Sequence, residues 1–407
     1  PAMPRPDAFD DGGLRPRFRP RAAARGDDRP GGLGADVPWL AGVDLWLEPG
    51  GDHGGLPPAG RGDAAAGAVA GGGRRASGGG RADGGTVGPA RGRGDLERPA
   101  FGVEVGPDGY AWWYVDGVAD DGKRAVSVIG FIGSVFSPWY AWSGRRSPQD
   151  HCCINVATYG PGGRFTMTDR GRAALRQSAD TLKVGPSRMH WTGRELVIEI
   201  DEWGALPMVT PVRGRIVLTP SAISGIEVAL SPDGAHVWRP FAPTARIEVD
   251  LSQGHRWQGH GYFDANFGTR ALEADFRTWT WGRFPVKGGA ACFYDAVRRD
   301  GSVLALGLHM GADGSARRIA PPPLAPLPRS LWALRRQTRA DAGVQPRQVM
   351  AMLDAPFYSR SLVETRVNGE RSVGVHEALD LDRFRRPWMK PMLALRVPRR
   401  AGWGFPD

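Results

Sequence analysis

The sequence predicts an all-β protein made of two antiparallel barrels or sandwiches, preceded by a disordered N-terminal tail. Three observations lead there. From Phe101 onward, short aromatic and β-branched runs are cut by Gly, Pro and Asp-Gly turns. Helical periodicity is scarce. Residues 1–97 are built from different material, which leaves a folded part of ~300 residues, enough for two domains of ordinary size.

The tail is dominated by Gly, Ala, Arg, Pro and Asp, with runs such as Gly71-Gly72-Gly73-Arg74-Arg75. It cannot bury enough apolar surface to offset its chain entropy, so disorder is expected. Its one apolar patch, Val37 to Leu47, is too short for a domain. The chain begins with Pro1, and the tail's composition is what a GC-rich frame gives when read out of register or upstream of a start. We expect part of it not to be native coding sequence; tail peptides in protein from the natural locus would contradict this.

In the folded part, Tyr110 to Val115 and Ala125 to Ile132 read as two strands around Asp120-Asp121-Gly122. Leu182 to Val184, Met189 to Trp191, Glu195 to Ile200 and Arg213 to Leu218 continue the pattern, with a hairpin turning at Thr192-Gly193-Arg194. Strands follow at Phe276 to Trp281, Ala290 to Arg298, Val303 to Met310, Ser330 to Gln337, Val349 to Leu353, Ser361 to Val367 and Arg371 to Glu377. Helices are expected only at Asp169 to Gln177 and Asp380 to Phe384. Pro-rich Ala320 to Pro328 reads as a loop, and the break between halves is placed near Pro240 to Asp250. The expected division is thus tail 1–97, first domain 98–245, second domain 246–398 and a C-terminal tail 399–407.

Charge and cysteine content narrow the function classes. The net charge of +10 comes almost wholly from Arg. No helix-turn-helix, zinc-finger spacing or RNA-binding aromatic motif accompanies it, so a nucleic-acid partner is not expected and an anionic lipid surface is. Three cysteines, Cys152, Cys153 and Cys292, argue against a disulfide framework and for a reducing compartment. No zinc-ligand spacing and no dinucleotide motif is present, and His376-Glu377 lacks a second His at helical spacing, so no metal or cofactor is expected. Without a long apolar run or a signal-peptide pattern, the expected location is cytoplasmic, peripherally associated with membrane.

The densest chemistry lies in His260-Gly261-Tyr262-Phe263-Asp264-Ala265-Asn266-Phe267-Gly268, framed by Trp257, Trp279 and Trp281. If this run is a strand, His260, Tyr262 and Asp264 share one face and Phe263 takes the other. A carboxylate among so many rings is poorly solvated, which raises its pKa and makes it an acid catalyst. The alternative is a strand end and turn, with Asp264 and Asn266 capping backbone amides and His260 held by a carbonyl. His236 and Trp238 alternate onto one side of a second extended run.

Gly109 to Asp116, Gly130 to Tyr140 and His255 to Gly268, in that order, resemble the acyclic carotenoid 1,2-hydratases of photosynthetic bacteria. The resemblance spans residues 100 to 398. It implies a lipocalin-like pair of β-barrel domains, no cofactor, and addition of water across the terminal C1–C2 double bond of acyclic carotenes such as neurosporene and lycopene, on the way to spheroidene or spirilloxanthin. It also implies a His, a Trp, a Tyr and an Asp as required groups, carried here onto His236, Trp238, Tyr262 and Asp264, with His260 as a fifth. Asp264 is then the general acid, His236 the base for the attacking water, and Trp238, Trp257 or Tyr262 a ring face for the cation. Phe136-Ser137-Pro138-Trp139-Tyr140-Ala141-Trp142, followed by Arg145 and Arg146, is expected to dip into the headgroup layer, or else to close a barrel end. The competing reading is a lipocalin-like carrier that holds an apolar ligand unchanged.

Overall fold

The computed structural model describes residues 86–89 and 97–406, apart from 206, 208 and 253. The rest of the expected tail, including Val37 to Leu47, lies outside the described residues. Thr86–Pro89 departs from the expected disorder: it pairs antiparallel with Ile226–Ala229. That partner bonds Val237 and Trp238 on its other side, so the added segment covers a sheet edge.

The described residues form an all-β fold, as the punctuated strand pattern predicts. A 15-stranded sheet has Tyr110–Ala119 near its middle, with Ala125–Ile132 on one side and His255–Gly268 on the other. His236–Leu251, Pro211–Pro220 and Leu196–Trp203 continue beyond His255–Gly268. A 7-stranded antiparallel sheet holds Phe276–Val286 and Glu370–Asp380 at its centre, next to Gly289–Arg298 and Tyr358–Val367.

Alternation along these strands separates two cores. Phe263, Ala265 and Phe267 face a core built from the large sheet and from Ala100, Phe101 and Val105 ahead of it; the sheet curls over so that Leu182 and Met189 reach Gly130. Tyr262, Trp238, Tyr110 and Tyr114 face the other way, into a core shared with Trp279, Trp281 and Tyr294 of the second sheet. The site lies in this shared core. A third, smaller cluster on the far face of the second sheet places Leu327 against Phe284, Phe293 and Val363.

Several expectations need correction. The break placed at Pro240 to Asp250 falls inside one strand, His236–Leu251, and the chain passes between sheets at 269–275 instead. Pro240 and Pro243 looked like breakers because proline cannot donate to a ladder, but they sit where the register with His255–Gly268 shifts between Arg239 and Ala245. Asp169 to Gln177 is not a helix: it is two short strands around a single turn at Arg172–Ala174. In place of Ser330 to Gln337, Leu324–Leu327 pairs with Arg336–Arg339, so part of the Pro-rich loop is a strand. Arg399–Arg400, expected in a tail, pairs parallel with Asp169–Arg170 of the large sheet. Unforeseen helices occupy Pro138–Trp142 and Met389–Arg396, while Leu381–Phe384 forms as expected with Asp380 accepting from the Arg383 amide.

Between the sheets, Asp116 of the first accepts from Arg283 of the second, with Nε at 2.9 Å from Oδ1, and both side chains are buried. Removing one partner of such a pair strands a charge, whereas replacing both with apolar groups does not. Arg283→Met is therefore expected to cost about 3–5 kcal/mol in urea unfolding, and Asp116→Leu with Arg283→Met much less. Equal losses in the two variants would contradict this account.

Candidate active site

Asp264 reaches the shared core because the strand His255–Gly268 keeps strict alternation, paired at Tyr114 on one side. Its Oδ2 accepts two hydrogen bonds, from Trp238 Nε1 at 2.8 Å and from the Tyr262 hydroxyl at 2.7 Å. Its Oδ1 has no partner among the described residues. Burial pushes its pKa from 3.8 up to about 8, against the lowering effect of the two donors and with some help from the charges of Glu377 and Asp116. A carboxyl that accepts twice on Oδ2 carries its proton on Oδ1. Tyr262, raised well above the ordinary phenol value by burial and then by Asp264, stays a neutral donor.

Asp264 lines a narrow cavity of about 40 Å³ between the sheets. The walls are Trp112, Tyr114 and Phe131 from the first sheet and Trp279, Trp281 and Tyr294 from the second. Rings stand edge-on to one another, Trp281 against Tyr114 at 5.6 Å and Trp279 against Tyr294 at 5.2 Å. Two further polar groups line it from the second sheet, Arg360 and Glu377, which are cross-strand partners joined by a 2.6 Å hydrogen bond.

The five residues expected from sequence separate into three positions. Asp264, Tyr262 and Trp238 form one hydrogen-bonded unit. His236 is fully buried behind it, with Nε2 donating to Asp275 Oδ2 at 2.7 Å and Nδ1 accepting from the Tyr110 hydroxyl at 2.8 Å. Burial holds its pKa below the usual imidazole value, so it is neutral. Tyr110 stacks on Trp112 at 4.8 Å, so His236 reaches the cavity only through that wall. Gly268, paired with His236, leaves the space Tyr110 needs, since a Cβ there would lie 2.2 Å from its ring. With both nitrogens engaged and no place on the cavity surface, His236 does not fit the water-activating role expected of it. His260 lies 3.3 Å from Arg283 Nη1, its pKa lowered to about 3 by burial and by that guanidinium.

Other expectations shift too. Trp257 packs with the large sheet's own core, on the face opposite Asp264, and is no part of the cavity wall. Of the Phe136 to Trp142 run, Phe136 turns inward to stack on Tyr358 at 5.6 Å, and Tyr140 is buried with its hydroxyl on the Gly109 carbonyl. Only Trp142 is largely exposed, and Arg145 is held by Glu273 at 2.5 Å. A second cavity shares Phe131, Phe136, Tyr358 and Arg360 with the first and runs on beneath Leu393, Arg396 and Val397. Sequence reasoning missed Arg360 and missed Glu377, which had been weighed only as half of a metal motif. Their one sequence signal is a charge at an inward position of a strand. His376 beside it donates from Nε2 to the Gln337 carbonyl, 2.8 Å away, on the sheet's other face.

The comparisons bear on the family that the sequence resembles. The profile of the carotenoid hydratase CrtC matches residues 128–406. The chain belongs to the CrtC carotenoid hydratase family. It is 73% identical over 278 residues to an acyclic carotenoid 1,2-hydratase of Cereibacter sphaeroides, covering 68% of this chain and 100% of that one. A protein of the same name from Rhodobacter capsulatus is 63% identical over 281 residues, covering 69% and 100%. One from Thiocapsa roseopersicina is 46% identical over 343 residues, covering 83% and 84%. The family profile starts after Tyr110–Ala119, although that strand bonds both Ala125–Ile132 and His255–Gly268.

The raised pKa has a consequence for stability. Folding keeps the proton on Asp264 between 3.8 and about 8, so its contribution is fully present below the lower value and is lost as pH rises through the higher. Asp264→Asn is expected to flatten the decline in unfolding free energy across that window in urea titrations. An unchanged slope would contradict the assignment.

Proposed function

We propose that this chain hydrates the terminal C1–C2 double bond of acyclic carotenes to give 1-hydroxy carotenoids, with Asp264 as the general acid. The observation that carries the reading is a buried carboxyl held protonated, with one oxygen free, inside an aromatic cavity of a carotenoid hydratase family member. Asp264 delivers its proton to C2, and positive charge develops at the more substituted C1. Trp112, Trp279 and Trp281 present rings to it, worth ~2 kcal/mol or more each when water is excluded. As the proton leaves, the Trp238 and Tyr262 donors stabilise the new carboxylate. His236, through Tyr110, holds Trp112 in place. Water then adds at C1, and no oxidation state changes overall.

The second cavity leads away from Asp264 past Phe136 to the helix Met389–Arg396, the direction in which the rest of the substrate would extend once the walls give way. Around that helix, Trp142, Trp388 and Leu395 are largely exposed, and Arg385 and Arg386 stand exposed beside them in sequence. Trp139, next to Trp142, donates to the Val397 carbonyl and so ties the two helices together. We propose this apolar and basic face as the one that meets an anionic bilayer, from which the carotene enters. Among the described residues no helix is long and apolar enough to cross a membrane.

Two experiments test the reading. Purified protein given lycopene in detergent and oxygen-18 water is expected to form labelled 1-hydroxy product, with Asp264→Asn at least about 100-fold slower. Lycopene bound but unchanged by the wild type would favour the carrier. In vesicle co-sedimentation, Trp388→Ser with Leu395→Ser is expected to lose binding to anionic vesicles while remaining folded. Binding equal to wild type would remove this face from the account.

A further inference from the structure

We propose that Glu377, held by Arg360 on the sheet facing Asp264, binds the attacking water and takes its proton. The inference rests on the hydration reading and supplies the partner that reading lacks. Once Asp264 has protonated C2, something other than the cation's own C–H must lose a proton, and it must stand at the cavity surface. His236 and His260 do not line the cavity, and their partners are Asp275, Tyr110 and Arg283. Of the ionisable groups that do, Tyr114, Tyr294 and Tyr358 are neutral phenols, and Arg360 is a cation. Glu377 is the carboxylate that remains.

Its setting suits the task. Glu377 and Arg360 are register partners on adjacent strands, Glu370–Asp380 and Tyr358–Val367, so the pair is fixed by the ladder. Arg360 Nε donates to Oε1 at 2.6 Å, and the Tyr358 hydroxyl, which accepts from Arg360 at 2.5 Å, also bonds Glu377. The guanidinium is clamped in turn by Ser127 Oγ at 2.6 Å and the Tyr159 hydroxyl at 3.0 Å, both from the first sheet. A water placed at the free part of this carboxylate sits on the wall opposite the acid. Two carboxyl groups in one cavity, Asp264 protonated by burial and Glu377 paired with a fixed guanidinium, divide the acid and base roles.

The steps balance. The alkene's π pair takes the proton from Asp264 Oδ1, leaving a carboxylate and a cation at C1. Water oxygen bonds C1 while one of its protons passes to Glu377, giving the neutral tertiary alcohol. Transfer of that proton from Glu377 back to Asp264 through solvent restores both groups.

The test separates the base from the acid by using heavy water. Wild type in deuterium oxide should form the 1-hydroxy product, and Asp264→Asn neither product nor exchanged substrate. Glu377→Gln keeps an oxygen for Arg360 but cannot accept a proton. It should lose product formation by about 100-fold, yet return lycopene carrying deuterium, because the cation still forms and collapses by proton loss. Glu377→Asp, which preserves the charge, should retain exchange and lower product relative to it. Hydration by Glu377→Gln at the wild-type rate overturns the proposal, as does equal loss of hydration and exchange in a folded Gln or Asp variant, which would make the pair structural. A wild type that neither hydrates nor exchanges would instead defeat the hydration reading itself.

Discussion

The structure depends on keeping one carboxyl group dry. Asp264 sits where two sheets close on each other, and water's absence raises its proton affinity more than two good donors lower it. Those donors are not redundant. Trp238 and Tyr262 bind the same oxygen, which fixes the rotamer, leaves Oδ1 unpaired among the described residues, and in the proposed reaction would solvate the anion left after proton transfer. A water-filled barrel mouth would not serve the proposed reaction, because solvent would ionise the acid.

Dryness has to be reconciled with the buried charges that hold the sheets together. Asp116 with Arg283, and Arg360 with Glu377, are paired in the interface, and each guanidinium lies over a tyrosine ring of the site, Arg283 on Tyr262 at 5.5 Å and Arg360 on Tyr114 at 5.0 Å. Such pairs are poor sources of stability relative to apolar packing. Here they set the relative position of the sheets and therefore the spacing of acid, rings and Glu377. His236 works at a further remove: the relay Asp275, His236, Tyr110 orients Trp112.

Alternation made the fold class and half of the site legible in the sequence. The run from His260 to Asp264 is strictly two-periodic, so Tyr262 and Asp264 had to share a face, and the surrounding rings implied a raised pKa. The other half was hidden because it is assembled across the sheet interface from residues far apart in sequence. Nothing local in Ser359-Arg360-Ser361 or His376-Glu377 says that their charges meet Asp264. Prolines misled the reading where strand irregularities accommodate them, as at Pro240 and Pro243. The aromatic run ending at Trp142 suits either a headgroup contact or the closing of a barrel end, and its rings are divided between the cavity, the core and the surface according to the turn at Ser137 and the short helix after it.

The central claim is that Asp264 is a neutral acid at neutral pH in the resting protein. Infrared difference spectroscopy, wild type minus Asp264→Asn, recorded from acid to alkaline pH, reads the carbonyl stretch of that one protonated carboxyl. The account predicts a band that persists through neutrality and disappears near pH 8. A band already lost near the ordinary carboxyl value of about 3.9 would contradict it.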